Sequence, residues 1–316
     1  MNRELHIGTR GSPLAVVQAE LVASALRAQD PPWTPTLVRI RTSGDRLQTA
    51  PLAASGGKGL FVKEIDEALL AGTIDLAVHS MKDLPAALTP GIALVAILPR
   101  ADARDALITR EARGLRDLQP GGRIGTSSLR RQAQLKARRP DLEVLPLRGN
   151  LNTRLRKLTE EGLDAVVLAA AGLSRLGLTS RITELLAPTV CLPAIGQGAI
   201  GVEMRADDPR RPGIRAALNH DPSWIAVAAE RSFLGRLGGG CQVPIAGYAT
   251  LREGKLTLEG LVATPDGRRL IRDSHTGPIG EAEAIGRGLA ESLLGRGAGE
   301  ILRELEAMPL GPPGAG

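Results

Sequence analysis

Aromatic side chains make up only 2% of this 316-residue chain: two Trp, two Phe and a single Tyr. So few rings leave little on which the bases of a single-stranded nucleic acid can stack. The formal net charge of +6 would otherwise invite a nucleic-acid reading, but the basic residues are spread out, with acidic residues between them. No nucleic-acid partner is expected. Cysteine is scarce as well, with Cys191 and Cys241 alone, which excludes a disulfide framework or a cysteine-built metal cluster. The four histidines show neither HxxxH nor HxxxxH spacing, so no metal is expected either. No apolar run approaches the roughly twenty residues of a membrane span, and the opening MNRELHIGTR has none of the features of a signal peptide. The expectation is a cytoplasmic protein with no membrane partner.

What is present is an alternation of strand and helix patterns. Residues 4–9 read as a strand. Ser12 then N-caps a helix with Pro13 at its first position, and Leu14, Val17, Leu21 and Ala25 fall on one face of it. Strands are predicted at 36–42, 75–81 and 92–98, with an amphipathic helix at 62–71 stopped by Gly72. The pattern restarts after Pro99, giving short strands at 106–108, 123–125, 143–147 and 165–168. The helices between them are 128–139 and 151–159. Residues 199–204 are again strand-like and are expected to return to the first sheet. Such alternation argues for α/β units around mostly parallel sheets. From Asp221, expected to cap a helix, the character shifts to a small α+β domain that ends in one long helix over 281–306. The expected units are 1–98 with 199–217, then 99–198, then 218–316.

Several segments carry candidate chemistry. Gly125-Thr126-Ser127-Ser128 is a strand-to-helix turn followed at once by Arg130 and Arg131. Such a turn offers N–H groups, hydroxyls and a positive helix end to an anion. Two arginines in a first turn oppose the macrodipole, and local conflict of this kind suits a binding site, although a solvated basic face is the plain alternative. Arg148-Gly149-Asn150, with Arg154 one turn on, repeats the layout, as does Arg10-Gly11-Ser12. Ligands of open α/β sheets bind outside the carboxyl ends of strands, so these three turns together predict a cleft for carboxylates or phosphates. Ser80-Met81-Lys82-Asp83 lies at a further strand end. A surface ion pair is the plain reading of Lys82 beside Asp83, but a carboxylate at the mouth of an arginine-rich cleft can also stabilise a developing cation or handle a proton. His79, alternating to the opposite face, reads as a core histidine.

Gly56-Gly57-Lys58-Gly59 is a glycine-rich loop suited to a lid and does not satisfy the Walker A spacing. Gly196-Gln197-Gly198-Ala199-Ile200-Gly201 matches GxGxxG, yet it leads into a strand rather than a helix, so it reads as a crossing between lobes. Gly238-Gly239-Gly240-Cys241 presents a thiol on a glycine loop, fit for nucleophilic attack or covalent attachment. Cys191, between apolar neighbours, reads as structural.

Eight segments in order, IGTRGSPLAVVQA, GGKGLFVKEI, DLAVHSMKDLP, IGTSSLRRQAQL, LRGNLNTRLRKL, LAAAGLSRLG, LPAIGQGAIGVE and ERSFLGRLGGGCQVPIAGYA, resemble the porphobilinogen deaminase (hydroxymethylbilane synthase) family. The match is poorest beyond about Leu251. The resemblance implies two lobes like a type II periplasmic binding protein with a cleft between them, plus a small C-terminal α+β domain. It implies a transferase that joins four porphobilinogens head to tail with loss of four ammonias, giving hydroxymethylbilane for heme biosynthesis. It further implies one dipyrromethane per chain, thioether-linked to Cys241, and a monomer whose partner is its substrate. By the same resemblance, Ser80, Lys82, Asp83, Thr126, Ser128, Arg130, Arg131 and Arg154 bind the cofactor, and Arg10, Gln18, Arg148 and Arg175 bind substrate. Asp83 is the catalytic group, while Lys58 and Phe61 belong to a lid. Two rivals from other classes are a two-lobed binding protein without catalysis and a nucleic-acid binder that rests on charge alone.

Overall fold

A computed structural model describes residues 3–46, 62–238 and 243–307; Lys58, Phe61 and Cys241 lie outside the described residues. The first sheet is built from β1 (Glu4–Arg10), β2 (Thr34–Ile40), β3 (Leu76–Ser80) and β4 (Ile92–Ile97). With them run α1 (Pro13–Arg27), the short α2 (Ser43–Arg46) and α3 (Lys63–Leu70). The second sheet takes β5 (Asp105–Thr109), β6 (Arg123–Gly125), β7 (Glu143–Leu145), β8 (Ala165–Ala169) and β9 (Glu184–Leu186). Its helices are α4 (Leu129–Arg138), α5 (Leu151–Glu160) and α6 (Ala170–Arg175). The chain then returns through β10 (Ile200–Arg205) and α7 (Arg211–Leu218).

The return strand completes the first sheet as expected, in the order β2-β1-β3-β10-β4, and the second sheet runs β7-β6-β8-β5-β9. Each sheet is mixed rather than simply parallel. β10 is antiparallel to β3 and β4, and β5 is antiparallel to β8 and β9. The cause is topological: β5 and β10 are the strands that follow the two crossings between lobes, and each inserts beside the last strand of its sheet. The lobes therefore share one strand order. The GxGxxG run is one of those crossings, with Gly196 and Gly198 at positive φ (67° and 88°), and no nucleotide-binding helix follows it.

Ser12 caps α1 as expected, its Oγ accepting from Ala15 N at 3.3 Å. The buried face of α1 is not the predicted one, however. Ala19, Val22, Ala23 and Leu26 face the core, while Leu21 is 44% exposed. Small alanines let the helix lie close on the sheet, and the larger Leu14 packs instead toward Gly172 of the other lobe.

The C-terminal unit is a three-stranded antiparallel sheet of β11 (Ile245–Arg252), β12 (Lys255–Ala263) and β13 (Leu270–Pro278). Against it pack α8 (Asp221–Leu237), α9 (Ala282–Leu293) and α10 (Gly299–Ala307). Two expectations fail here. His220 rather than Asp221 N-caps α8, with its ring nitrogen facing Ser223 N; Asp221 is already the first helical residue and accepts from Asn219 Nδ2 at 2.6 Å. The single long terminal helix is broken where Gly297 takes φ 98°. Phe233 fills the centre of this unit at 0% exposure, packing against Gly260, where any side chain would collide with its ring.

Fully buried Glu230 of α8 joins all three units. It accepts from Arg100 in the first crossing at 2.6 and 3.2 Å, from Gly196 N in the second at 2.6 Å, and from Ala249 N of β11 at 2.8 Å. Among the described residues, no helix is long and apolar enough to cross a membrane.

Candidate functional site

On the first lobe, Arg10 at the end of β1, Gln18 on α1, Ser80 at the end of β3 and Asp83 line one cavity. The Gln18 amide donates to Ser80 Oγ at 2.8 Å, so a residue expected at the substrate and one expected at the cofactor are in direct contact. β3 passes into a single tight turn, Met81–Asp83, with Met81 buried and Asp83 exposed at the mouth.

The facing wall comes from the second lobe. Ser128 N-caps α4, its Oγ accepting from Arg131 N. The turn before it spends much of its polarity internally: Thr126 N bonds Leu145 O at 2.8 Å, Ser128 N bonds Thr126 Oγ1 at 3.2 Å, and Ser127 Oγ bonds Leu147 O at 2.9 Å. Arg148 and Arg154 flank the N-terminus of α5, where Asn150 is the cap. Arg154 Nε donates to Gly149 O at 2.8 Å. Arg175, on α6, donates to Gly198 O of the crossing at 2.7 Å.

Arg130 and Arg131 do not form a solvated face. Each is only 5% exposed, and both are held by Asp105, which is 0% exposed. Arg130 bonds Asp105 at 2.7 and 3.2 Å, Arg131 does so at 3.0 and 2.7 Å, and Gln197 Nε2 adds a contact at 2.9 Å. Burial by itself would raise the Asp105 carboxyl, but the two guanidiniums outweigh it and hold the group well below the usual carboxylate range. Sequence reasoning did not single out Asp105. It sits at a strand start with no motif around it, and its partners lie 25 and more residues away.

One carboxylate between two guanidiniums leaves a net positive charge, and further cations surround it. Burial pushes the Lys82 ammonium down to about 8, against the pull of Asp83, with Arg131 and Arg130 also acting on it. Burial, aided by Arg131 and Arg148 and opposed by Asp83, pushes Arg154 down to about 10. Groups of both lobes thus share one electrostatic neighbourhood. Cations that are buried and crowded enough to be harder to protonate regain stability when an anion enters.

The surroundings of Cys191 support its assignment as structural. Cys191 is fully buried, with Sγ 3.3 Å from Asp105 Oδ2, and burial with that neighbouring carboxylate pushes its thiol up to about 12.

The buried triad gives a first expected result. Asp105→Asn leaves two guanidiniums without a counter-charge in the interior, and breaking a buried ion pair in this way typically costs about 3–5 kcal/mol. Urea titration at pH 7 should show that loss. Because the folded-state pKa of Asp105 is depressed, its contribution is present above the unfolded value of about 3.9 and fades as pH falls below it. The gap between wild type and variant should therefore narrow at pH 3; a gap unchanged between pH 7 and 3 would contradict the ionised triad.

Comparison with known proteins matches the same regions. The family model described as "Porphobilinogen deaminase, dipyromethane cofactor binding domain" matches residues 5–211, and that of the "Porphobilinogen deaminase, C-terminal domain" matches 224–295. The porphobilinogen deaminase of Syntrophotalea carbinolica is 55% identical over 305 residues, covering 96% of this chain and 97% of its own. That of Desulforudis audaxviator is 50% identical, covering 97% and 99%. Among solved structures, the methionine binding protein MetQ aligns at TM-score 0.42 and 13% identity, over 69% of this chain and 90% of its own. The periplasmic VFT2 domain of Bordetella pertussis BvgS aligns at 0.43 and 14%, over 68% and 87%. With two family models matched in chain order and relatives alike over nearly their whole length, the chain belongs to the porphobilinogen deaminase family.

Proposed function

We propose that this chain is a hydroxymethylbilane synthase, joining four porphobilinogens head to tail with release of four ammonias on a covalent dipyrromethane primer. The observation that carries the reading is the two-lobed cluster of Lys82, Arg130, Arg131 and Arg154, with Arg148 beside it, balanced only in part by Asp105 and Asp83. Each pyrrole unit brings an acetate and a propionate, so the primer and the growing chain are polycarboxylates. A site with surplus cations fits that ligand: Arg130 and Arg131 each have N–H groups beyond those given to Asp105 and to the Leu192 and Val167 carbonyls.

In this reading residues 1–98 with 199–217, 99–198 and 218–316 are the three domains. Ser80, Lys82, Thr126, Ser128, Arg130, Arg131 and Arg154 hold the carboxylates of the primer. Arg10, Gln18, Arg148 and Arg175 receive the incoming monomer, and Lys58 and Phe61 cover the cleft. The dipyrromethane, when bound, supplies the terminal pyrrole carbon to which the first monomer is joined. Lys82 carries its proton below about pH 8, so it attracts a carboxylate across the neutral range. Asp83, exposed at the cleft mouth beside Lys82, accepts from pyrrole N–H groups. Its charge also stabilises the positive charge that develops as the aminomethyl nitrogen of the substrate departs as ammonia. Cys241 is the attachment point; the burial and high pKa of Cys191 support that choice, since thiolates are the reactive form. The enzyme works as a cytoplasmic monomer.

Intact-mass measurement of the purified chain tests the reading. A mass above that of the sequence by one dipyrromethane is expected, together with consumption of porphobilinogen. A bare chain that consumes none, even after prolonged incubation with porphobilinogen, would overturn it.

A further inference from the structure

Directly beneath the cleft, whose first-lobe cavity His79 helps to line, three ionisable side chains from three elements meet in the interior of the first lobe. Asp66 comes from α3, His79 from β3 and Glu203 from β10, at 8%, 6% and 2% exposure. One potential ligand atom from each lies within 4.8 Å of the other two. His79 Nε2 and Glu203 Oε2 are 3.3 Å apart, yet neither has a hydrogen-bond partner among the described residues. Orphaned polar atoms this deeply buried are costly, and here two of them point at one place.

We propose that Asp66, His79 and Glu203 form a binding site for a divalent transition-metal ion of the zinc type. The donor set selects the class. An imidazole nitrogen suits zinc-like ions, whereas magnesium and calcium want six or more oxygens. The spacing agrees. Bonds of about 2.0–2.1 Å in a tetrahedron place neighbouring ligand atoms about 3.3–3.4 Å apart, which is the separation of His79 Nε2 from Glu203 Oε2. A direct hydrogen bond would draw the same atoms closer and align them. Asp66 is oriented by Thr89, whose Oγ1 donates to Asp66 Oδ2 at 2.5 Å, an outer partner of the sort that metal-binding carboxylates keep. Two carboxylates neutralise a divalent ion. The other charges nearby are Arg231, which faces Glu203 electrostatically while donating to Ala86 O, Glu67 beside Asp66, and Arg10 of the cleft, which faces His79. The ion would lie behind the cleft floor and pin β3 to α3 and β10. His79 immediately precedes Ser80, so the pin would fix the strand end that presents Ser80, Lys82 and Asp83. Its role is positioning, not chemistry.

The test uses cobalt(II) as an optical stand-in for zinc on the full-length protein after dialysis against chelator. The expected result is one tightly held equivalent per chain with the visible bands of a tetrahedral nitrogen–oxygen site. Zinc should displace it, and affinity should fall at least tenfold in His79→Gln and in Glu203→Gln. Circular dichroism checks that both variants fold; should either not, Asp66→Asn serves in its place, with the same tenfold loss expected. Stoichiometric uptake does not depend on turnover and so stands or falls apart from the enzymatic reading. No uptake by the wild-type chain would overturn the proposal. Equal uptake by folded variants would do the same, as would a near-ultraviolet thiolate charge-transfer band in place of the visible set.

Discussion

Cys241→Ser is expected to yield a folded chain of bare sequence mass that turns over no porphobilinogen. The reason is chemical. A serine hydroxyl is far less nucleophilic at neutral pH than a cysteine, which is partly ionised and intrinsically reactive there. Without the primer the cationic cleft has no resident polycarboxylate, so the variant should also melt below the wild-type enzyme: a covalently held anion cannot dissociate, and its charge relieves repulsion among Lys82, Arg131 and Arg154. Cys191 supplies the control. With its thiol pushed up to about 12 and fully buried, it should resist alkylation by iodoacetamide in the native chain at pH 8, and Cys191→Ser should keep its activity. Wild-type turnover by Cys241→Ser, or loss of the mass increment in Cys191→Ser, would show that the wrong cysteine had been chosen.

How much of this was legible beforehand depended on how far apart in sequence the interacting residues lie. The turns at Arg10-Gly11-Ser12 and at 125–131 are local, and their layout alone placed them at strand ends. The return of 200–205 to the first sheet was legible because a strand-like run after a crossing has few sheets to join. Asp105 was not legible, since what makes it important is the pair of arginines on α4 and Gln197, 92 residues away, that converge on it. Nor was the meeting of Asp66, His79 and Glu203, where sheet register brings β3 beside β10 so that Gly201 pairs with His79. The buried face of α1 was misread for a different reason: the residues singled out marked one stripe, while packing on the sheet selected the neighbouring stripe of Gln18, Ala19, Val22, Ala23 and Leu26. The break at Gly297 went unseen because one glycine within a periodic run does not by itself announce a positive φ.

Asp83→Asn separates chemistry from binding. The substitution keeps the size of the side chain and part of its hydrogen bonding, and it removes the charge. If Asp83 stabilises positive charge that appears only as ammonia departs, the loss falls in kcat, since only interactions stronger in the transition state than in the ground state speed the chemical step. Removal of one well-placed electrostatic group typically costs on the order of 10²–10³ in kcat, and that is the expected range. Arg148→Ala should behave otherwise, because its proposed partner is a carboxylate present before any bond changes; KM should rise, with a smaller fall in kcat from misplacement. Lys82 complicates the first variant. Asp83 opposes the burial that pushes Lys82 down to about 8, so neutralising Asp83 should make Lys82 easier to deprotonate. Its hold on the primer carboxylates should then weaken at a lower pH than in wild type. A pH profile of the melting temperature of the primer-loaded enzyme distinguishes this effect from the loss in kcat, since Lys82 acts on a primer carboxylate and Asp83 on the positive charge that develops in the reacting monomer. Steady-state kinetics of both variants, on enzyme whose mass shows the primer in place, decide the matter. A change confined to KM in Asp83→Asn together with one confined to kcat in Arg148→Ala would reverse the two roles and leave the family assignment intact.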